Sequence, residues 1–197
     1  VPVDVLTIAG AGINAFAGLN GPADSDGAVG LSLENASFGV VSMRPQNAGA
    51  GDERSWTAVS AEAASAAMVG FPGFEIGAEN IAVNVNQANG AEAADFTAGD
   101  IDGDGVVDPA LVLDTGAGAV TIDYDSALLE FSATATVSLF DFVYFSGSFA
   151  FRKSATLSNL LLSDGSSVEA ELITVGATGL DAFVGVNGPA GTPGAVG

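Results

Sequence analysis

Apolar residues recur at every second position along most of this chain, and Gly, Ala and Asn interrupt the runs. Leu6-Thr-Ile8 leads to Ile13-Asn-Ala-Phe16, Leu31-Ser-Leu33 to Phe38-Gly-Val-Val41, Phe74-Glu-Ile76 to Ile81-Ala-Val83-Asn-Val85, and Leu172-Ile-Thr-Val175 to Leu180-Asp-Ala-Phe183. A period of two is the signature of an extended chain, whose successive side chains point to opposite faces. The pattern predicts an all-β protein whose strands are split by small-residue corners. Only the Ala-rich stretch around Ser60–Val69 has helical propensity, and its small side chains fit a crowded strand equally well. Strand is the reading taken. Polar, turn-forming residues fill Asn20–Gly27, Arg44–Arg54 and Gln87–Asp108, which are expected as loops.

The longest alternation runs from Leu128 to Leu157, with Leu129, Phe131, Val137, Leu139, Val143, Phe145, Phe149 and Phe151 on one face. It exceeds a typical strand of about 5–6 residues, so the chain must turn or bend within it. Keeping the same face through a hairpin requires an odd-length loop, and Ser146-Gly147-Ser148 offers one of three residues. That choice sets Phe145 against Phe149, Val143 against Phe151 and Asp141 against Lys153, pairing the two charges of the apolar face. Arg152 then falls beside Phe142 and Tyr144, a cation–π arrangement.

The chain also repeats itself. Thr174 to Gly197 aligns without a gap on Thr7 to Gly30 at a constant offset of 167 residues, as from Phe16 to Phe183. Asn20/Asn187, Pro22/Pro189 and Gly30/Gly197 coincide in the same alignment. Residues 1–171 are therefore expected to form one repeat unit, and 172–197 to begin the next by matching 5–30. A period of 167 residues is too long for one solenoid coil, so each unit is a domain or several coils.

The net charge is −20, from 24 acidic residues against 4 basic ones. Such a surface repels nucleic-acid phosphates and anionic lipids alike. No apolar run approaches the roughly 20 residues of a membrane helix, and membrane insertion is not expected. One Trp and two Tyr are too few for the aromatic girdles of an outer-membrane barrel. Cysteine is absent, and so is histidine, the usual general base and transition-metal ligand.

One local motif carries chemistry. Asp100-Ile-Asp102-Gly-Asp104-Gly105-Val106-Val-Asp108 sets carboxylates at loop positions one, three and five. Gly105 allows the sharp turn, the Val106 carbonyl supplies position seven, and Asp108 supplies position nine. So many flexible oxygen ligands suit calcium better than magnesium. The loop resembles EF-hand-like, dockerin-type and thrombospondin-type calcium loops over nine residues only. Leu111 stands where an EF-hand has its bidentate Glu, and Pro109 follows at once. A calcium loop between strands is expected, weaker than a sensor site, with Asp114 able to reach back.

Other candidates are weaker. Asp24-Ser-Asp26-Gly27 reads as a turn, because the second copy has Gly191-Thr192-Pro193-Gly194 in its place. Asp123 and Asp125, and likewise Asn84 and Asn86, share alternate strand positions and read as polar faces. Trp56 reads as a core anchor ahead of a sugar-stacking platform. Serine-nucleophile catalysis lacks its histidine, and nothing marks a carboxylate pair for glycoside hydrolysis, so the chain is not expected to be an enzyme.

The Gly179-Leu-Asp-Ala-Phe-Val-Gly-Val-Asn-Gly-Pro189 segment, the Asp-rich loop, Leu31-Ser-Leu-Glu-Asn-Ala-Ser-Phe38, Arg54-Ser-Trp-Thr-Ala58 and Phe140-Asp-Phe-Val-Tyr-Phe-Ser-Gly-Ser-Phe149 together carry a resemblance. The chain resembles a unit of the giant tandem-repeat surface proteins of bacteria, grouped with calcium-dependent adhesins. The resemblance implies an extracellular location and a stalk or fibre stiffened by calcium. With the repeat, it gives an elongated array of stacked or curved sheets, solenoid-like or sandwich, continuing from unit to unit through the strands after Leu172. Its partners would be neighbouring copies and, in an alternative, cell-surface glycans bound by a carbohydrate-binding module. A further alternative is a self-assembling filament subunit joined by strand exchange.

Overall fold

The computed structural model describes residues 2–101, 104–154 and 156–197. The chain is all-β. In order it forms β1 (Val3–Leu19), β2 (Val29–Pro45), β3 (Ser55–Val69), β4 (Phe74–Asn89), β5 (Leu111–Asp114), β6 (Ala119–Ile122), β7 (Leu128–Leu139), β8 (Val143–Ser154), β9 (Leu157–Leu161), β10 (Ser167–Ala170) and β11 (Ile173–Val184). Seven of these build one open sheet in the order β1-β2-β3-β4-β7-β8-β11, antiparallel at every step. The hairpins β5–β6 and β9–β10 are separate two-stranded sheets.

The small-residue corners expected inside the strands are not corners. β1 runs 17 residues without a break. Its register slips between Gly10 and Ile13, around Gly12 at φ 65°. β11 slips likewise between Thr178 and Asp181, around Gly179 at φ 60°. Asn80, at φ 52°, marks the slip between β4 and β7. Left-handed residues of this kind are absorbed as bulges, which bend a strand and sharpen its twist without ending it. Pairing with neighbouring strands, on both sides of β4 and on one side of β1 and β11, holds the chain extended, so the local turn signal loses. The same lateral pairing settles Ser60–Val69 as strand, since β3 lies between β2 and β4.

The β7–β8 hairpin keeps its face through a three-residue loop, but the loop is Phe140-Asp141-Phe142. Phe140 and Asp141 are both left-handed, at φ 53° and 52°, and the Phe142 N–H donates to the Leu139 carbonyl at 3.0 Å. Val143 therefore opposes Leu139, Phe145 opposes Val137, and Lys153 opposes Leu129. This overturns the expected Asp141–Lys153 and Phe145–Phe149 cross-strand pairs. It also removes the cation–π arrangement, because Arg152 faces Glu130 and its Nε lies 3.1 Å from that carboxylate. Lys153 Nζ lies 3.1 Å from Glu171. Gly147 is no turn residue: a Cβ there would run into Leu180 of β11. Its missing side chain accommodates the neighbouring strand.

The buried cluster is small and lies on one face. The connection from β4 to β7 folds back over the sheet, and its β5–β6 hairpin rests on β1, β2 and β3. Val41, Ala58, Phe96, Leu113, Val120 and Ile122 form the buried cluster, with Val41 and Ile122 fully excluded from solvent. Burying a side chain the size of Ile122 contributes about 1.5–3 kcal/mol. Gly39 lets this lid close down, since a Cβ there would sit 2.9 Å from both Leu113 Cδ1 and Val120 Cγ1. On the opposite face, one pleat position away from Val41, lies a row of directly paired residues: Ile8, Val40, Val59, Val85 and Leu129. This second face remains partly exposed, and Ile8 keeps 52% of its surface accessible.

Candidate metal centre

The Asp-rich loop lies on the lid, between the strand end at Asn89 and β5. The lid is tied down from beneath by polar anchors. Asn86 is fully buried, and its amide donates to the carbonyls of Ala94 at 2.7 Å and Ser126 at 2.9 Å, pinning both ends of the connection. The Trp56 indole N–H donates to the Glu92 carbonyl at 2.8 Å. The Tyr124 hydroxyl lies 2.9 Å from Asn84 Oδ1 and 3.1 Å from the Val59 carbonyl. Burial raises the Tyr124 pKa above its ordinary value.

Within the loop the carboxylates organise backbone. Asp108 N–H donates to the Gly99 carbonyl at 2.8 Å, closing the loop at its neck. Asp100 Oδ2 accepts from Gly105 N–H at 2.9 Å, Asp108 Oδ2 from Ile101 N–H at 2.7 Å, and Asp104 Oδ1 from Val106 N–H at 2.7 Å. Gly105 has φ 89°, the left-handed conformation that position six of such a loop demands. Just upstream, Asp95 Oδ1 accepts from both the hydroxyl and the N–H of Thr97 at 2.8 Å, which holds its carboxyl below the usual range.

Asp100, Asp104, Val106 and Asp108 thus share one closed, exposed loop. Asp102, central to the proposed ligand set, lies outside the described residues. Among the described residues the acidic side chains form no group of three or more with metal-holding spacing. The donor chemistry remains that of a hard, oxygen-ligated cation. Asp114 closes β5, where its Oδ1 accepts from Gly116 N–H at 2.7 Å.

The other marked residues resolve as structural. Asp123 and Asp125 follow β6 in irregular chain and do not share a strand. Asp52 and Arg54 clasp each other in the β2–β3 loop at 2.8 Å, and the Arg54 guanidinium holds the Asp52 carboxyl down to about 2. Asn84 and Asn86 do share a face, but it is the face beneath the lid. Their role there was signalled only by amides alternating with apolar residues in the second half of β4. Comparison of the chain with protein-family models, curated proteins and solved structures gives no match.

Proposed function

We propose that the chain is a structural repeat of an extracellular bacterial fibre or giant adhesin, with calcium at the Asp100–Asp108 loop stiffening the unit. The observation that carries the reading is the duplication. Residues 7–30 and 174–197 share sequence, and the matching strands β1 and β11 form opposite edges of one sheet. A module that carries matching strands at the two edges of its sheet is suited to tandem extension, and its function would be length and rigidity rather than catalysis.

Calcium enters through charge and position. The loop sits on the lid that covers β1–β3, so a cation neutralising its carboxylates would brace the covered half of each unit. At a net charge of −20 that neutralisation also relieves repulsion along an array. Replacing Asp102 and Asp104 together by Ala should lower the thermal midpoint in calcium and leave it unchanged in chelator. An equal loss in both conditions would refute the metal role. Electron micrographs of the native material should show uniform fibres that soften when calcium is removed; compact separate particles would shift the weight to a binding module.

A further inference from the structure

We infer that β1 and β11 are one and the same strand of successive units, so that the open outer edge of β1 is the seat of a β8 strand from another copy of this chain. The inference rests on the tandem reading above and specifies its junction. Among the described residues β1 pairs only with β2, and β11 pairs only with β8. Each copy of the duplicated segment therefore displays one half of a two-sided interface.

Three features of the sheet make the halves compatible. The first is direction. Six antiparallel steps separate β1 from β11, and an even number restores the original sense, so β11 runs as β1 does. The second is register. The row beginning at Ile8 continues past Leu129 through Lys153 to Ile173. Subtracting the 167-residue offset turns Ile173 into Leu6, two residues short of the start. In the other half of the strands, the row beginning at Phe16 ends on Asp181, the image of Asn14, again two short. The stagger is thus the same along the whole strand, as superposition of rigid units requires. Two is also even, so every side chain stays on its own face when the sheet passes into the next unit; an odd stagger would have inverted the faces.

The third is side-chain fit. Phe183 stands beside Tyr144 of β8 with ring centroids 6.1 Å apart, Leu180 lies over Gly147, and the Thr174 hydroxyl donates to the Arg152 carbonyl at 3.4 Å. At the matching positions β1 carries Phe16, Ile13 and Thr7. The strand that has no β8 neighbour nevertheless has the residues that β8 contacts.

The geometry of the array follows. Copies add by replacement: the β11 of one unit serves as the β1 of the next, between β8 behind and β2 ahead. Direct pairing of β11 with the β1 of an identically oriented copy would join parallel strands, unlike every other step. Six strands at about 4.8 Å give an advance of about 29 Å per unit, with a sideways step of about 7 Å from the two-residue stagger. The resulting inclination, about 13°, is far below the roughly 35–45° tilt of closed barrels, and the sheet runs on as an open ribbon.

Gly197 occupies the place of Gly30, so residues 31–171 appended after it complete a second unit. The chain contains no cysteine, which leaves disulfide mapping free of background. In this two-unit chain, cysteine at Ile173 should cross-link to cysteine at the appended Ser42, or cysteine at Thr174 to the appended Val41. A pair displaced by two residues, Ile173 with the appended Arg44, should not link. In the cysteine-free two-unit chain, alternate amides of 173–184 should exchange more slowly than in the single unit. Linking of the displaced pair as readily would overturn the register. Unchanged exchange in β11, with the second unit folded, would overturn the shared strand, yet leave separate units strung along a fibre. A missing calcium response would sink the stiffening role without touching the junction.

Discussion

The two copies of the duplicated segment can be compared residue by residue within one molecule. Asn20 and Asn187 are left-handed at φ 56° and 57°, and their amides donate to Gly27 and Gly194 carbonyls at 3.0 and 3.1 Å. Within the loop the sequences part at Asp24/Gly191, Ser25/Thr192 and Asp26/Pro193, and the first of these changes the turn. Ser25 N–H donates to Pro22 across Ala23 and Asp24, and Thr192 N–H to Pro189 across Ala190 and Gly191. Gly191 has φ 86°, whereas Asp24 is not left-handed. The first is thus a turn any residue accepts, the second the kind that wants glycine at its third position. Surroundings differ more than local shape does. Ala9 packs against the buried cluster under the lid, while its counterpart Gly176 is exposed and a Cβ there would meet nothing. The loop's shape is therefore carried mainly by its own residues, and the burial of each strand by whatever lies over it.

The lid is the largest of these differences, and removing its support is the strongest way to test it. Ile122→Ala should cost about 2–5 kcal/mol, the range for truncating a fully buried aliphatic side chain. The loss should be uneven: amides in β1, β2, β3 and the lid should lose protection, while those in β8 and β11 change far less. Residue-resolved hydrogen exchange checks this. Equal loss across all strands would mean that the sheet unfolds as one cooperative body and that the two regions are not separable.

The all-β class was legible because alternation survives along β7, β8 and much of β1, β2 and β4, and the duplication because it needs only alignment. Strand lengths were not. Gly12, Asn80 and Gly179 carry turn chemistry, and the sequence pattern does not reveal that pairing with neighbouring strands will hold such residues as bulges. The β7–β8 hairpin shows the same limit. Parity correctly demanded an odd loop, but Ser146-Gly147-Ser148 looked more turn-like than Phe140-Asp141-Phe142. What distinguishes them is Leu180 on Gly147, a contact with a strand more than thirty residues away. The Asp loop was visible as a spacing pattern, whereas its anchorage through Asn86, Trp56 and Tyr124 depends on how the lid folds back.

A smaller effect tests whether loop shape is local. Asn20→Ala and Asn187→Ala each remove an amide hydrogen bond and place alanine at a left-handed φ. Each should cost about 1–2 kcal/mol at its own loop, from a net hydrogen bond plus the left-handed penalty. The two costs should agree despite the different strands alongside, and amide exchange at Gly27–Val29 and Gly194–Val196 reads them separately. A loss confined to Asn20 would show that pairing with β2, rather than the loop's own residues, sets the shape.

The smallest effect should come from the loop position where φ changes sign between the copies. Asp24→Gly gives the first loop the residue of the second, and glycine fits either turn, so stability should stay within about 0.5 kcal/mol of the parent. The reverse change, Gly191→Asp, should cost more, because aspartate must either take a left-handed φ or flip the preceding peptide. Paired thermal melts of the two variants, with calcium and with chelator, check both the asymmetry and the chemistry. A neutral Asp24→Gly in both conditions leaves the Asp100–Asp108 loop as the place where calcium acts. If Asp24→Gly lowers the melting point only in calcium, the Asp24–Asp26 turn is itself a cation ligand, and the two copies differ in function as well as in turn type.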